Sequence, residues 1–343
     1  MLIGRQVDRQ LQQVLSSTSK PRSLKDPIAE GPGDLDSMIR PPYLTMIAAA
    51  LAIGLAACSG PAPETPNHSM AVEHSSETPI DFLPALKGDY FAMESQAAGR
   101  KYHVFVRLPE GYERDASEKY PVVYLLDGDS LFPLLAPTHL FLSYDENLPE
   151  AVVVGIAYGG FDPAVNKRNV DFSAPAADAR PGEDGAPQFL QFLEQELLPA
   201  VEDRYRIDAT KRILLGQSRA GYFVLWSALQ APDLFWGRIA SNPSLEPGRE
   251  RFFNNASVYT KSDLKVVVAS GTRDTEQRRR NAKEWSLHWQ NQEDAPWQVQ
   301  LLPIQGGTHA ASIGETYRQA MLFLFQDEIA ARATAPIAPS PTS

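Results

Sequence analysis

One cysteine, Cys58, is found in 343 residues, so neither an intrachain disulfide nor a zinc site built on several thiolates can form. Basic side chains are the minority, 32 Lys and Arg against 42 Asp and Glu, and the formal charge is -10. That balance, without a basic run interleaved with aromatics, argues against nucleic acid as a partner. Histidine is scarce, six in all, and no two are spaced as metal ligands, so neither a metal nor another cofactor is expected. No apolar run reaches the roughly 18 to 20 residues that cross a bilayer, and no internal repeat is visible. What is present, 43% hydrophobic and 22% charged residues, is a globular composition long enough for one large domain or two small ones.

The apolar run Leu44 to Ala57 follows Arg40 and ends in small residues before Cys58. It reads as a signal peptide with a processing site. Leu55-Ala56-Ala57-Cys58 resembles the lipobox of bacterial lipoproteins. The resemblance implies a lipid anchor on Cys58, attachment to a membrane through it, and a cell-envelope location facing the periplasm. Ser59 favours the outer membrane over the inner in a Gram-negative host. The expected organisation is then residues 1–37 as a mis-called start or dispensable leader and 38–57 as the signal. Residues 58–81 form a Pro- and Ser-rich flexible tether, 82–331 one folded domain, and 332–343 a disordered tail.

Within the domain, strand and helix patterns alternate. His103–Leu108 has period two. Pro121–Leu126 and Ala151–Ile156 are continuous apolar runs suited to central parallel strands. Phe189, Leu193, Leu197, Val201 and Tyr205 fall on one helix stripe, with a kink expected at Pro199. Arg212–Leu215, Lys265–Ser270 and Trp297–Leu302 add strands, and a helix over about 316–330 closes the chain. The fold class is α/β: a mostly parallel, twisted sheet with helices on both faces.

Gly216-Gln217-Ser218-Arg219-Ala220-Gly221 lies between the Arg212 strand and an apolar helix, the setting of a nucleophile elbow. In such sheets the site lies beyond the carboxyl ends of the strands. A serine hydroxyl needs a base, and His309, on the glycine-rich loop after the last strand, is the candidate. His68 and His74 fall in the tether. His103, His139 after a Pro-rich loop, and His288 read as packing or surface residues. The third member is Asp274, with Glu276 the alternative, although an acid at a helix start is also explained by the helix dipole. Backbone N–H groups of Asp129 and Arg219 are candidate oxyanion donors.

Several stretches together carry a family resemblance: Lys119 to Asp129, Lys167 to Pro175, Glu196 to Glu202, the elbow, and Ala240 to Leu245. Residues 90–328 resemble the bacterial esterase branch of the α/β hydrolases, which includes siderophore trilactone esterases, feruloyl esterases and, more distantly, mycolyltransferases. The resemblance implies the α/β-hydrolase fold, Ser218 as nucleophile, His309 as base and amide donors at Asp129 and Arg219. Ala220 departs from the usual Gly, as it does in the mycolyltransferases. The acid region matches poorly, so Asp274 and Glu276 both stay open.

The expected activity is serine carboxylic ester hydrolysis of a small-molecule ester. A siderophore-type lactone is the first candidate and feruloyl or acetyl groups on polysaccharide the second. A lipoprotein that binds without catalysis is the third. Arg168 and Asn242 are candidate substrate contacts, with Lys167 and Arg219 adding positive charge. The competing reading pairs Lys167 and Arg168 with Asp171 and other nearby carboxylates. No protein partner can be named.

Overall fold

The computed structural model describes residues 83–175 and 184–334. The leader, the signal segment, Cys58 and the tether lie outside the described residues, as does the tail beyond Thr334. Among the described residues no helix is long and apolar enough to cross a membrane.

Eight strands form one sheet: β1 (Gly88–Ser95), β2 (Arg100–Arg107), β3 (Tyr120–Leu125), β4 (Val152–Ala157), β5 (Ile207–Gln217), β6 (Gly237–Ser241), β7 (Leu264–Gly271) and β8 (Trp297–Ile304). Their order is β1-β2-β4-β3-β5-β6-β7-β8. β2 runs antiparallel to β1 and β4, and the pairs from β4 through β3 to β8 are parallel. β4, Val-Val-Val-Gly-Ile-Ala, is buried at every position, as its unbroken apolar run requires of a strand covered on both faces. One face packs Tyr102, Phe189, Phe192 and Phe223. The other packs Leu131, Phe132, Tyr317 and Met321.

Among the described residues the α-helices of seven residues or more are α1 (Gly128–Asp145), α2 (Ala186–Phe192), α3 (Leu198–Arg204), α4 (Arg219–Gln230), α5 (Glu276–Gln290), α6 (Ile313–Leu324) and α7 (Gln326–Thr334). Three of them correct the expectations above. The Pro-rich stretch before His139 is not a loop: Pro133 and Pro137 lie inside α1. Each proline removes a helix hydrogen bond, but Leu131, Phe132, Leu135, Ala136, His139 and Leu142 all point into the core, and that burial holds the helix. The stripe from Phe189 to Tyr205 accommodates Pro199 by a π-helical turn, Leu193–Leu197, between α2 and α3. A widened turn of this kind absorbs the bond that proline cannot make. The last helix begins at Ile313 and breaks at Phe325, which is buried against Trp236 with ring centroids 5.3 Å apart. Arg332 to Thr334 end α7 and do not belong to a tail.

Strand β6 was masked in the sequence by a charge. Arg238 is fully buried in it. Its guanidinium donates to the carbonyls of Ala231, Pro232 and Phe235 at 2.6, 2.9 and 2.9 Å, which replace water around the cation. Burial nonetheless pulls its pKa down to about 9.

His139 is likewise fully buried, with Nδ1 2.8 Å from the Tyr317 hydroxyl and Nε2 3.1 Å from the Pro149 carbonyl. Burial, helped by the Arg107 charge, pushes its imidazole down to about 3. An unfolded chain takes up that proton near pH 6.5 and the folded one does not. Stability therefore rises with pH across this window and is lost as pH falls through it. Urea unfolding from pH 6.5 to 4 should show wild type losing stability more steeply than His139→Gln, by up to about 1.4 kcal/mol per pH unit. Parallel slopes would contradict a neutral buried imidazole.

Candidate active site

The site forms where β5 turns into α4. Ser218 occupies that turn with φ 59° and ψ -111°, a strained conformation for a residue with a side chain. The turn is held by Ser218 N–H donating to the Ser241 carbonyl at 2.9 Å. Crowding dictates its neighbours. A Cβ on Gly216 would lie 2.9 Å from the Ala220 methyl and 2.6 Å from its carbonyl. The glycine at 216 is thus what makes room for Ala220, at the position where most of the resembled family carries glycine.

His309 Nε2 lies 3.0 Å from Ser218 Oγ, and its Nδ1 lies 2.8 Å from Asp274 Oδ2. The carboxylate beside Nδ1 places the proton there and leaves Nε2 as the acceptor facing the hydroxyl. Asp274 is almost wholly buried, whereas the imidazole is about a third exposed. The second Asp274 oxygen accepts from Thr275 N–H at 2.6 Å. Glu276, the alternative acid, does not join this group. It is the first residue of α5, its side chain is 76% exposed, and it pairs with Arg280 one turn on.

The loops carrying the acid and the imidazole are stitched together. Arg273 N–H donates to the Gly307 carbonyl at 2.9 Å, and Gly306 N–H donates to Thr272 Oγ1 at 2.9 Å. A Cβ at Gly271 would stand 2.4 Å from the Gly307 carbonyl oxygen, so only glycine permits this approach. Gln217 closes the third side, its amide donating to the His309 carbonyl at 2.5 Å.

Asp129 and Arg219 lie in the first turns of α1 and α4, where N–H groups have no acceptor within the helix and carry the positive end of its dipole. The Asp129 carboxylate does something the sequence did not suggest. It accepts from Tyr158 and Gly159 N–H, both at 2.8 Å, and so pins the loop after β4. A cleft of about 290 Å³ opens over Ser218 and His309, walled by Leu131, Phe161 and Arg168.

Of the two expected substrate contacts, Arg168 lies in the cleft wall and Asn242 does not. The Arg168 guanidinium is engaged by Asp127, Nε to Oδ1 at 2.7 Å and Nη2 to Oδ2 at 2.9 Å. Asp171 is not its partner, because that buried carboxylate takes Arg100, Tyr102 and Tyr158. Lys167 Nζ donates to the Pro163 carbonyl at 2.9 Å.

Asn242 is 1% exposed and is not among the residues that line the cleft over Ser218. Its Nδ2 donates to the His309 carbonyl at 3.0 Å and to Ser312 Oγ at 2.7 Å, and its Oδ1 accepts from Gly271 N–H at 2.7 Å. It is a brace between β7 and the histidine loop. Asn242→Ala would strand these buried groups at about 1–3 kcal/mol for each one left without a partner. Urea unfolding should therefore show a loss of at least about 2 kcal/mol. A change below about 0.5 kcal/mol, as for a surface substrate contact, would contradict the brace.

Residues 95–321 match the model of the esterase family described as "Putative esterase". Over 169 residues the chain is 34% identical to the ferri-bacillibactin esterase BesA of Bacillus subtilis, a match covering 45% of this chain and 57% of that protein. It is 29% identical over 199 residues to the apo-salmochelin esterase of Escherichia coli O6:H1, covering 53% and 60%. The chain thus spans less than two thirds of the length of these curated relatives. Among solved structures, the BES protein from Bacillus cereus is similar with a TM-score of 0.60 at 23% identity, covering 69% of this chain and 94% of that one. The enterobactin and salmochelin hydrolase IroE gives 0.56 at 22% identity, covering 69% and 93%. Both likenesses are of fold. The sheet order and the family match, which takes in more than half of the chain, agree: this protein has the α/β-hydrolase fold and belongs to the esterase family.

Proposed function

We propose that the protein is a serine carboxylic ester hydrolase that works through an acyl-enzyme on siderophore-type lactone esters. The observation that carries this reading is the continuous hydrogen-bonded line from Asp274 through His309 to Ser218. His309 Nε2 takes the hydroxyl proton as Ser218 Oγ attacks the ester carbonyl. Asp274 holds the imidazole in the required tautomer and stabilises the imidazolium. The oxyanion is met by the N–H groups of Asp129 and Arg219, whose helix ends favour negative charge. The imidazolium returns its proton to the leaving alkoxide. Water, deprotonated by the same nitrogen, then attacks the acyl-serine carbonyl, and the imidazolium gives that proton to Ser218 Oγ as the acyl–oxygen bond breaks and the acid is released.

The substrate class is supported by the relatives, one named for ferri-bacillibactin and one for apo-salmochelin. The location is argued from Leu55-Ala56-Ala57-Cys58: a lipid anchor on Cys58 would hold the domain to the envelope, facing the periplasm. Cys58→Ser should then move the protein from the membrane fraction to the soluble one, and retention in the membrane would contradict the anchor.

For the chemistry, Ser218→Ala should lower kcat by about five to six orders of magnitude and Asp274→Asn by roughly four. Glu276→Gln should leave it within about twofold, as expected of an exposed surface pair. Turnover by Ser218→Ala near the wild-type rate would refute the nucleophile. Rates should be compared on a siderophore trilactone, methyl ferulate and p-nitrophenyl acetate. Preference for the trilactone supports the substrate class, whereas preference for methyl ferulate would transfer the protein to the feruloyl esterases.

A further inference from the structure

Phe161 is 74% exposed, the most exposed aromatic side chain among the described residues, and it stands in the wall of the cleft that contains Ser218 and His309. Its exposure is not that of a slack loop. On one side Tyr158 and Gly159 are tied by their N–H groups to the Asp129 carboxylate. On the other, Asp162 accepts from the N–H groups of Ala164, Val165 and Asn166 at 2.8, 2.9 and 2.7 Å. The Asn166 amide reaches back to the Gly160 carbonyl at 3.0 Å. The backbone on both sides of the ring is fixed while the ring itself faces solvent, an arrangement that leaves a large apolar surface in water until something covers it.

The rest of the cleft says what that cover must be. Leu131 supplies a second apolar surface, and the Arg168 charge beside it is already balanced by Asp127. No uncompensated cation is offered there, so a charged group gains little from this wall. A flat ring gains more from a Phe face than an alkyl group of equal size does, because aromatic pairs add a directional electrostatic term to burial.

We propose that Phe161 is a specificity-determining residue, a fixed platform for an aromatic ring carried by the ester substrate. The proposal deepens the esterase reading and rests on the same cleft. It is tested with a matched pair, methyl 3-phenylpropionate and methyl 3-cyclohexylpropionate, which share the ester and the spacer and differ in the ring. Turnover is followed by pH-stat, and binding is measured by calorimetry on Ser218→Ala, which cannot consume the ligand.

The phenyl ester should be favoured about fivefold in both kcat/KM and Kd. Phe161→Leu should bring both ratios to about one, and Phe161→Trp should restore them. A ratio near one in wild type, or a phenyl preference that survives in Phe161→Leu, overturns the platform. If wild type hydrolyses neither methyl ester, the esterase reading is decided by turnover of the siderophore trilactone, and the binding ratio on Ser218→Ala still decides the role of Phe161.

Discussion

An imidazole can pass a proton between a carboxylate-oriented state and a hydroxyl only if both of its nitrogens are held at once. Here one is 2.8 Å from Asp274 and the other 3.0 Å from Ser218, and the three side chains come from the ends of three different strands. The His309 carbonyl, on the far side of the same residue, is gripped by the amides of Gln217 and Asn242. Gln217 belongs to the nucleophile's strand, and Asn242 also holds the N–H of Gly271 at the end of the acid's strand. The backbone of the histidine is therefore referenced to both of its partners. Pre-organisation of this kind matters because misplacement by about 1 Å costs on the order of a hundredfold in rate.

The carboxylates around the cleft follow a common plan. Asp274 is taken by His309 and Thr275 N–H, Asp127 by Arg168, and Asp129 by two loop N–H groups. In a chain of formal charge -10, free carboxylates at the mouth would repel an anionic ester and the hydroxide-like states of the reaction. Compensating each one inside the protein makes the wall of the cleft nearly neutral and leaves the ends of α1 and α4 as its positive features. The same contacts set the shape of the site, since the Asp129 carboxylate fixes the loop that presents Phe161.

Ser218 and His309 were legible because their signals are local: a small-residue turn between an apolar strand and an apolar helix, and a histidine on a glycine-rich loop after the last strand. Asp274 was legible only as one of two acids, because a two-residue difference decides whether a side chain stays at the strand end or moves onto an exposed helix turn. The central strands announced themselves as unbroken apolar runs. β1 and β6 did not: β1 is an edge strand with an exposed face, and β6 hides a buried arginine that reads as a surface charge. Two prolines concealed α1, because the burial that sustains it is contributed by distant strands. Asn242 was misread for the same reason, since the atoms it braces lie 29 and 67 positions away along the chain. What the sequence withheld was long-range partnership.

The central claim is that the hydroxyl of Ser218 is activated by His309. It is met most directly by treating the protein with a fluorophosphonate and locating the adduct by peptide mass spectrometry. The account predicts one phosphonyl group per chain on the peptide bearing Ser218, with labelling slowed by at least about a thousandfold in His309→Ala. Labelling elsewhere, or labelling of Ser218 at an undiminished rate without the imidazole, would contradict it.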